Sequence, residues 1–184
     1  MYVLLILLHF LMPNKAPELQ TIPLKNLQGK EGFIDLKKGQ KGTVILFLSP
    51  ECPLCQSYSL TIQKLEKKYA AQGIQFIAII PGKYFTTEEV VIYRNKYQLK
   101  TLSFWFDPNT VLSNFCNATI TPEVVVYKPN GQKVYQGRID NWAYELSKKR
   151  AVITEHDLQN VLEKLVKNEA TPFYKTKSVG CFIN

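Results

Sequence analysis

Residues 43–55 read Thr-Val-Ile-Leu-Phe-Leu-Ser-Pro-Glu-Cys-Pro-Leu-Cys. The first six, Thr43–Leu48, form a continuous apolar run rich in β-formers. Such a run suits a central strand covered on both faces. Past the cysteines the period changes. Leu54, Tyr58, Ile62, Leu65 and Tyr69 recur at steps of four, four, three and four, one face of a helix. Gly73 closes that helix, and Ile74–Ile80 is a second apolar run of strand type. The stretch therefore predicts a βαβ unit with a right-handed crossover.

The remaining pattern keeps the alternation. Thr86-Thr87-Glu88-Glu89 is a helix start, with Val90, Tyr93 and Tyr97 as its inner face. Ser103–Phe106 reads as a short strand, and Asp107-Pro108 as the opening of a further helix with proline in its first turn. Glu123–Tyr127 and Lys133–Gln136 flank Pro129-Asn130-Gly131, a hairpin signal. A last helix is expected to begin at Thr154 with Asp157 completing a capping box, and Leu158, Val161, Leu162, Leu165 and Val166 form its apolar stripe. Residues 141–150 read as a polar, irregular surface insertion.

With 184 residues, 46% hydrophobic and 21% charged, the chain has ordinary globular composition and the length of one domain with extensions. Lys and Arg number 23 against 15 acids, a net +8. Only Arg94, Arg138 and Arg150 are arginine, and no basic run of five occurs. Base and phosphate recognition leans on Arg forks, so a nucleic-acid partner is not expected. Residues 2–12 are almost wholly apolar, too short for a comfortable membrane span and suited to the centre of a secretory signal. The expected organisation is a signal segment over residues 1–16, a domain over 17–170 and a C-terminal tail over 171–184. The protein is then periplasmic or secreted, free or tethered by an uncleaved N-terminal segment, in a compartment where disulfides persist.

Cys52-Pro53-Leu54-Cys55 carries the chemistry. A C-x-x-C at the start of the helix in a βαβ unit is a redox signature. Cys52 falls at the helix N-terminus, where unpaired N–H groups and the macrodipole favour a thiolate. Pro53 fits the first turn, where no N–H is needed. Cys55, one turn on, can reach the Cys52 sulfur. Cys52 is thus the expected nucleophile and Cys55 the resolving thiol. A structural zinc site wants four ligands, and no second C-x-x-C or H-x-x-x-H exists, so no metal site is expected. The cysteine pair itself holds two electrons, so no organic cofactor is required.

Residues 17–170 resemble the thioredoxin-like superfamily, and most closely its extracytoplasmic redoxin branch, which includes the thiol-specific antioxidant proteins. The match lies in Ser49–Cys55, Thr121–Tyr127, Asn130-Gly131 and Gly137-Arg138-Ile139-Asp140. The resemblance implies an α/β fold with a central mixed sheet flanked by helices, an N-terminal strand extension and a C-terminal tail. It implies a cis peptide at Thr121-Pro122 facing the cysteines, with Thr121 and Pro122 as the docking edge for a partner chain. The implied activity is disulfide exchange with protein thiols and disulfides, by analogy in haem or copper protein maturation.

The sequence departs from the family pattern in several places. Leu46 stands where thioredoxins carry a buried acid, and Glu51 where they carry Trp. Glu51 and Glu123 are the carboxylates left as proton acceptors for Cys55. A peroxidase reading, with hydroperoxides as substrates and Cys52 as the oxidised cysteine, finds its hydroxyl in Ser49 and its guanidinium in Arg138, but Ile45 where a proline belongs. A copper- or haem-maturation chaperone would add a distant histidine, for which only His9 and His156 are present. Cys116 reads as a small buried apolar group. Cys181, in a Gly-Cys-x-Ile tail that this branch also shows, is a candidate second redox site. It can bridge to Cys116, join another chain or bind a partner's metal.

Overall fold

The computed structural model describes residues 18–183; the apolar segment 1–16, with His9, lies outside them. In chain order the elements are β1 (Leu24–Asn26), β2 (Glu31–Gly32), β3 (Gly42–Phe47), α1 (Pro53–Ala70), β4 (Ile74–Pro81), α2 (Thr87–Lys96), β5 (Ser103–Asp107) and α3 (Val111–Cys116). Then come β6 (Ile120–Thr121), β7 (Glu123–Tyr127), β8 (Lys133–Gly137), β9 (Ala143–Glu145), β10 (Lys148–Lys149), α4 (Asp157–Val166), β11 (Tyr174–Lys175) and β12 (Cys181–Phe182).

Among the described residues the main sheet has eight strands in the order β11-β8-β7-β3-β4-β5-β1-β2. It is mixed: β3, β4 and β5 run parallel, while β7 and β1 pair antiparallel with β3 and β5. All six residues of β3 are buried, as the apolar run requires of a strand with neighbours on both sides. The pleat divides them. Val44 and Leu46 face one core with Leu54, Tyr58, Val90 and Leu158, which brings in α1, α2 and α4. Ile45 and Phe47 face a second core with Leu112 and Cys116 of α3. Successive side chains of a strand point to opposite faces, so one residue's parity decides which core it joins.

Three local expectations are corrected. Asp107 ends β5 instead of opening a helix; residues 108–110 make a turn, with Thr110 at a left-handed φ of 52°, and α3 starts at Val111. The Asp107 carboxylate still caps that helix, from one turn further back. It accepts from the Leu112 and Ser113 N–H groups at 3.2 and 2.8 Å and from Ser113 Oγ at 2.8 Å. The last helix begins at Asp157 with no capping box. Thr154 is held instead by Asn141, which donates to its hydroxyl and accepts from its N–H. Residues 141–150 are only partly irregular. They contain the β9–β10 hairpin, and Trp142 packs edge-on against Tyr58 of α1 at 5.3 Å.

Candidate active site

Cys52 and Cys55 stand where the strand-to-helix turn delivers them. After β3, the Leu48 N–H still donates to Ile79 O. The chain then turns through 49–51, and the Cys52 N–H donates to Ser49 O at 3.2 Å. Cys52 is the residue that flanks α1 on its N-terminal side, with Pro53 in the first turn. Gln56 secures the turn by donating to Pro50 O at 2.8 Å. Both cysteines are buried, and Cys52 is only 1% exposed.

Three sulfurs meet at this point. Cys52 Sγ lies 3.1 Å from Thr121 O, to which it donates only when protonated, and the Cys181 thiol donates to Cys52 Sγ at 2.8 Å. Cys55 Sγ accepts from the Ser49 N–H at 3.4 Å. Cys52 is drawn down to about 5, chiefly by a hydrogen bond from the Cys55 thiol, against burial, and further by the Cys181 thiol and the two cysteines' backbone N–H groups. Cys55 is pushed well above the ordinary thiol range, first by burial and then by the charge it helps to create on Cys52. Cys181 is pushed up to about 12 by burial and by Cys52. One ionised sulfur is therefore supported by two that keep their protons.

The Thr121–Pro122 peptide is cis. Its strand, β6, pairs antiparallel with β12, setting Cys181 opposite Thr121 and Phe182 opposite Ile120. Cys52 and Cys55 thus lie beside Thr121 and Pro122. A hollow of about 250 Å³ beside them is lined by Ser49, Glu51, Pro81, Tyr84, Phe85, Thr121, Phe182 and Ile183.

Other candidates are placed elsewhere. Glu123 belongs to the Cys116 side of the sheet: Val124 and Val126 join the core that holds Cys52, whereas Val125 and Tyr127 join the other. Its carboxylate accepts from the Thr119 N–H at 3.0 Å and from Gln136 Nε2 at 3.0 Å, so it is not an acceptor for the Cys55 proton. Arg138 is engaged by Asp157, at 2.8 Å from Nε, and by Glu155, rather than by Asp140 or the cysteines. Asp140 instead accepts from Tyr58 Oη at 2.7 Å and the Trp142 N–H at 2.9 Å, tying α1 to the segment after β8. Glu51 is exposed on the rim, and Ser49 acts through its backbone N–H. His156 is exposed at the start of α4. Among the described residues no group of three or more His, Cys, Asp and Glu is arranged to hold a metal ion.

Cys116 is fully buried, 3.6 Å from Tyr127 Oη, and burial pushes it up to about 11. It lies in the core across the sheet from Cys181, as a small buried group, so of the three possibilities open for Cys181 the bridge to Cys116 is not formed. What sequence reasoning missed is Gly180. A Cβ there would lie 2.0 Å from Thr121 O, so only glycine lets the tail backbone approach β6 so closely. A glycine directly before the tail cysteine was the available signal.

No protein-family model matches the chain, and no curated protein matches it. Solved structures do. An uncharacterized conserved protein from Geobacillus kaustophilus is 20% identical over 89% of this chain and 87% of its own, with a TM-score of 0.76. An uncharacterized thioredoxin-like protein from Porphyromonas gingivalis is 20% identical over 84% and 97%, with a TM-score of 0.62. A secreted Mycobacterium tuberculosis disulfide oxidoreductase homologous to E. coli DsbE is 19% identical over 82% and 96%, with a TM-score of 0.55. Likeness at such identity reports architecture, and the architecture of this chain is thioredoxin-like.

Proposed function

We propose that this protein is an extracytoplasmic thiol-disulfide oxidoreductase that exchanges disulfides with protein partners. The observation that carries the reading is geometric: Cys52 and Cys55 stand at the first turn of α1 with Cys52 Sγ 3.1 Å from the carbonyl before the cis Pro122, and hydrogen bonds draw Cys52 down while burial holds Cys55 up. At neutral pH Cys52 is a thiolate and Cys55 keeps its proton. The Cys52 thiolate attacks one sulfur of a partner disulfide, and the other partner sulfur leaves and is protonated. Cys55 then gives up its proton and attacks Cys52 Sγ, and the second partner sulfur leaves in turn. One partner disulfide becomes two thiols while two cysteines become one disulfide; the reverse sequence oxidises a dithiol. Thr121 and Pro122 present the edge on which a partner strand pairs.

The apolar run at 2–12 supports an extracytoplasmic place, as does the likeness to a secreted oxidoreductase. Disulfide exchange is preferred to hydroperoxide turnover because Arg138 is engaged by Asp157 and Glu155. Reduction of insulin disulfides by dithiothreitol, followed by precipitation of the freed chains, tests the reading. The protein accelerates it, and Cys52→Ser abolishes the acceleration. Turnover that survives Cys52→Ser removes the proposal.

A further inference from the structure

The C-terminal tail occupies the site. From β11, the sheet-edge strand parallel to β8, the chain passes Thr176, whose N–H donates to Gln136 O and whose hydroxyl accepts from the Arg138 N–H at 3.1 Å. It then crosses to β6 and pairs with it as β12. Thr121 Oγ1 donates to Cys181 O at 3.4 Å, and the Ile183 N–H donates to Thr119 O at 2.9 Å. A chain laid on β6 in this register brings the side chain opposite Thr121 to the Cys52 sulfur. In this protein that side chain is a cysteine. Its sulfur is the outermost of the three, for Cys181 is partly exposed while Cys52 and Cys55 are buried.

The seat of the tail is close but shallow. Val179 and Ile183 pack on the two cores, yet Phe182 is 77% exposed. Ser178 Oγ is buried without a hydrogen-bond partner, an unfavourable feature of the docked state. The strand is therefore able to leave, and while it stays no partner can pair with β6.

We propose that the C-terminal strand is an internal substrate: it fills the docking edge as a partner strand would, and Cys181 exchanges with the Cys52–Cys55 disulfide to give a Cys52–Cys181 bond that closes the oxidised site until a dithiol reopens it. This rests on the disulfide-exchange reading of Cys52. The Cys181 sulfur, its proton released to solvent, attacks Cys52 Sγ. The Cys52–Cys55 bond breaks, its electron pair leaves on Cys55 Sγ, and Cys55 takes up a proton. Two cysteines are oxidised before the step and two after it, so no further oxidant enters. An external dithiol reverses the closure, reducing Cys52 and Cys181 to thiols while becoming a disulfide itself. Burial is the first cause that holds Cys181 protonated; the hydrogen bond to Cys52 and its charge add to it, and these two are gone once Cys52 is in a disulfide.

The test uses the full chain. It is oxidised with glutathione disulfide, quenched in acid and digested without reductant, and the linked peptides are weighed. A Cys52–Cys181 peptide pair is expected, absent from Cys181→Ser and about tenfold weaker in Gly180→Val. The reduced Gly180→Val protein should also alkylate at Cys52 about tenfold faster than wild type, the factor for a tail docked roughly nine-tenths of the time. A wild-type digest with only the Cys52–Cys55 pair, or wild-type alkylation in Gly180→Val, overturns the inference. If insulin turnover still depends on Cys52 in that case, the tail inference alone falls. Turnover independent of Cys52 removes both.

Discussion

The low pKa of Cys52 is made by its neighbours, and each supporting side chain can be replaced singly. Thiolate absorbance at 240 nm in the reduced protein should be full at neutral pH and disappear as pH falls through about 5. Cys181→Ala deletes one supporting donor and should move the midpoint upward; a wild-type midpoint in the ordinary thiol range contradicts the site. The lowered value also links to stability. A group whose folded value lies below its unfolded one stabilises fully above the unfolded value and loses that contribution as pH falls through about 5. The reduced protein should thus gain stability with rising pH between those limits in urea titrations. Glu123 was legible as a carboxylate near the cis-proline but not as a structural one, because a single step along β7 moves a side chain to the other face. Glu123→Ala should cost about 1–3 kcal/mol by stranding the Thr119 N–H and Gln136 amide, and leave the Cys52 midpoint in place. A midpoint shift of a whole unit would return Glu123 to the catalytic group.

At the scale of elements, the strands and α1 were readable because period and burial agree. The run is apolar from Val44 to Leu48, as both faces of β3 are covered, and the five positions of the α1 stripe, Leu54, Tyr58, Ile62, Leu65 and Tyr69, are all buried. The starts of α3 and α4 were misread for a common reason: a capping residue signals a nearby helix N-terminus without saying how many residues intervene. Asp107 reaches over the turn 108–110, and Thr154 is claimed by Asn141 from a distant segment. Asp107→Ala should therefore destabilise the fold by about 2 kcal/mol, measured by urea unfolding, as three buried donors lose their acceptor. A change below a few tenths would mean that α3 is capped otherwise.

For the whole molecule, the tail is the feature that local reading could not place. Cys181 and Cys52 are 129 residues apart, and no spacing rule connects them. Their meeting depends on the seat of β11 against β8. A Cβ on Gly137, at φ +149°, would lie 2.1 Å from Thr176 Oγ1, so Gly137→Ala should unseat β11 and speed tryptic cleavage at Lys175 and Lys177 several-fold. Cleavage at the wild-type rate would show that the tail is held without that contact. The central claim, that Cys52 is the attacking sulfur, is tested most directly in a chain where nothing can resolve its adduct. Reduced Cys55→Ser/Cys181→Ser protein is mixed with glutathione disulfide at pH 7 and the modified peptide identified by mass. One glutathione on Cys52 is the expected result; an adduct confined to Cys116, or none at all, would contradict it.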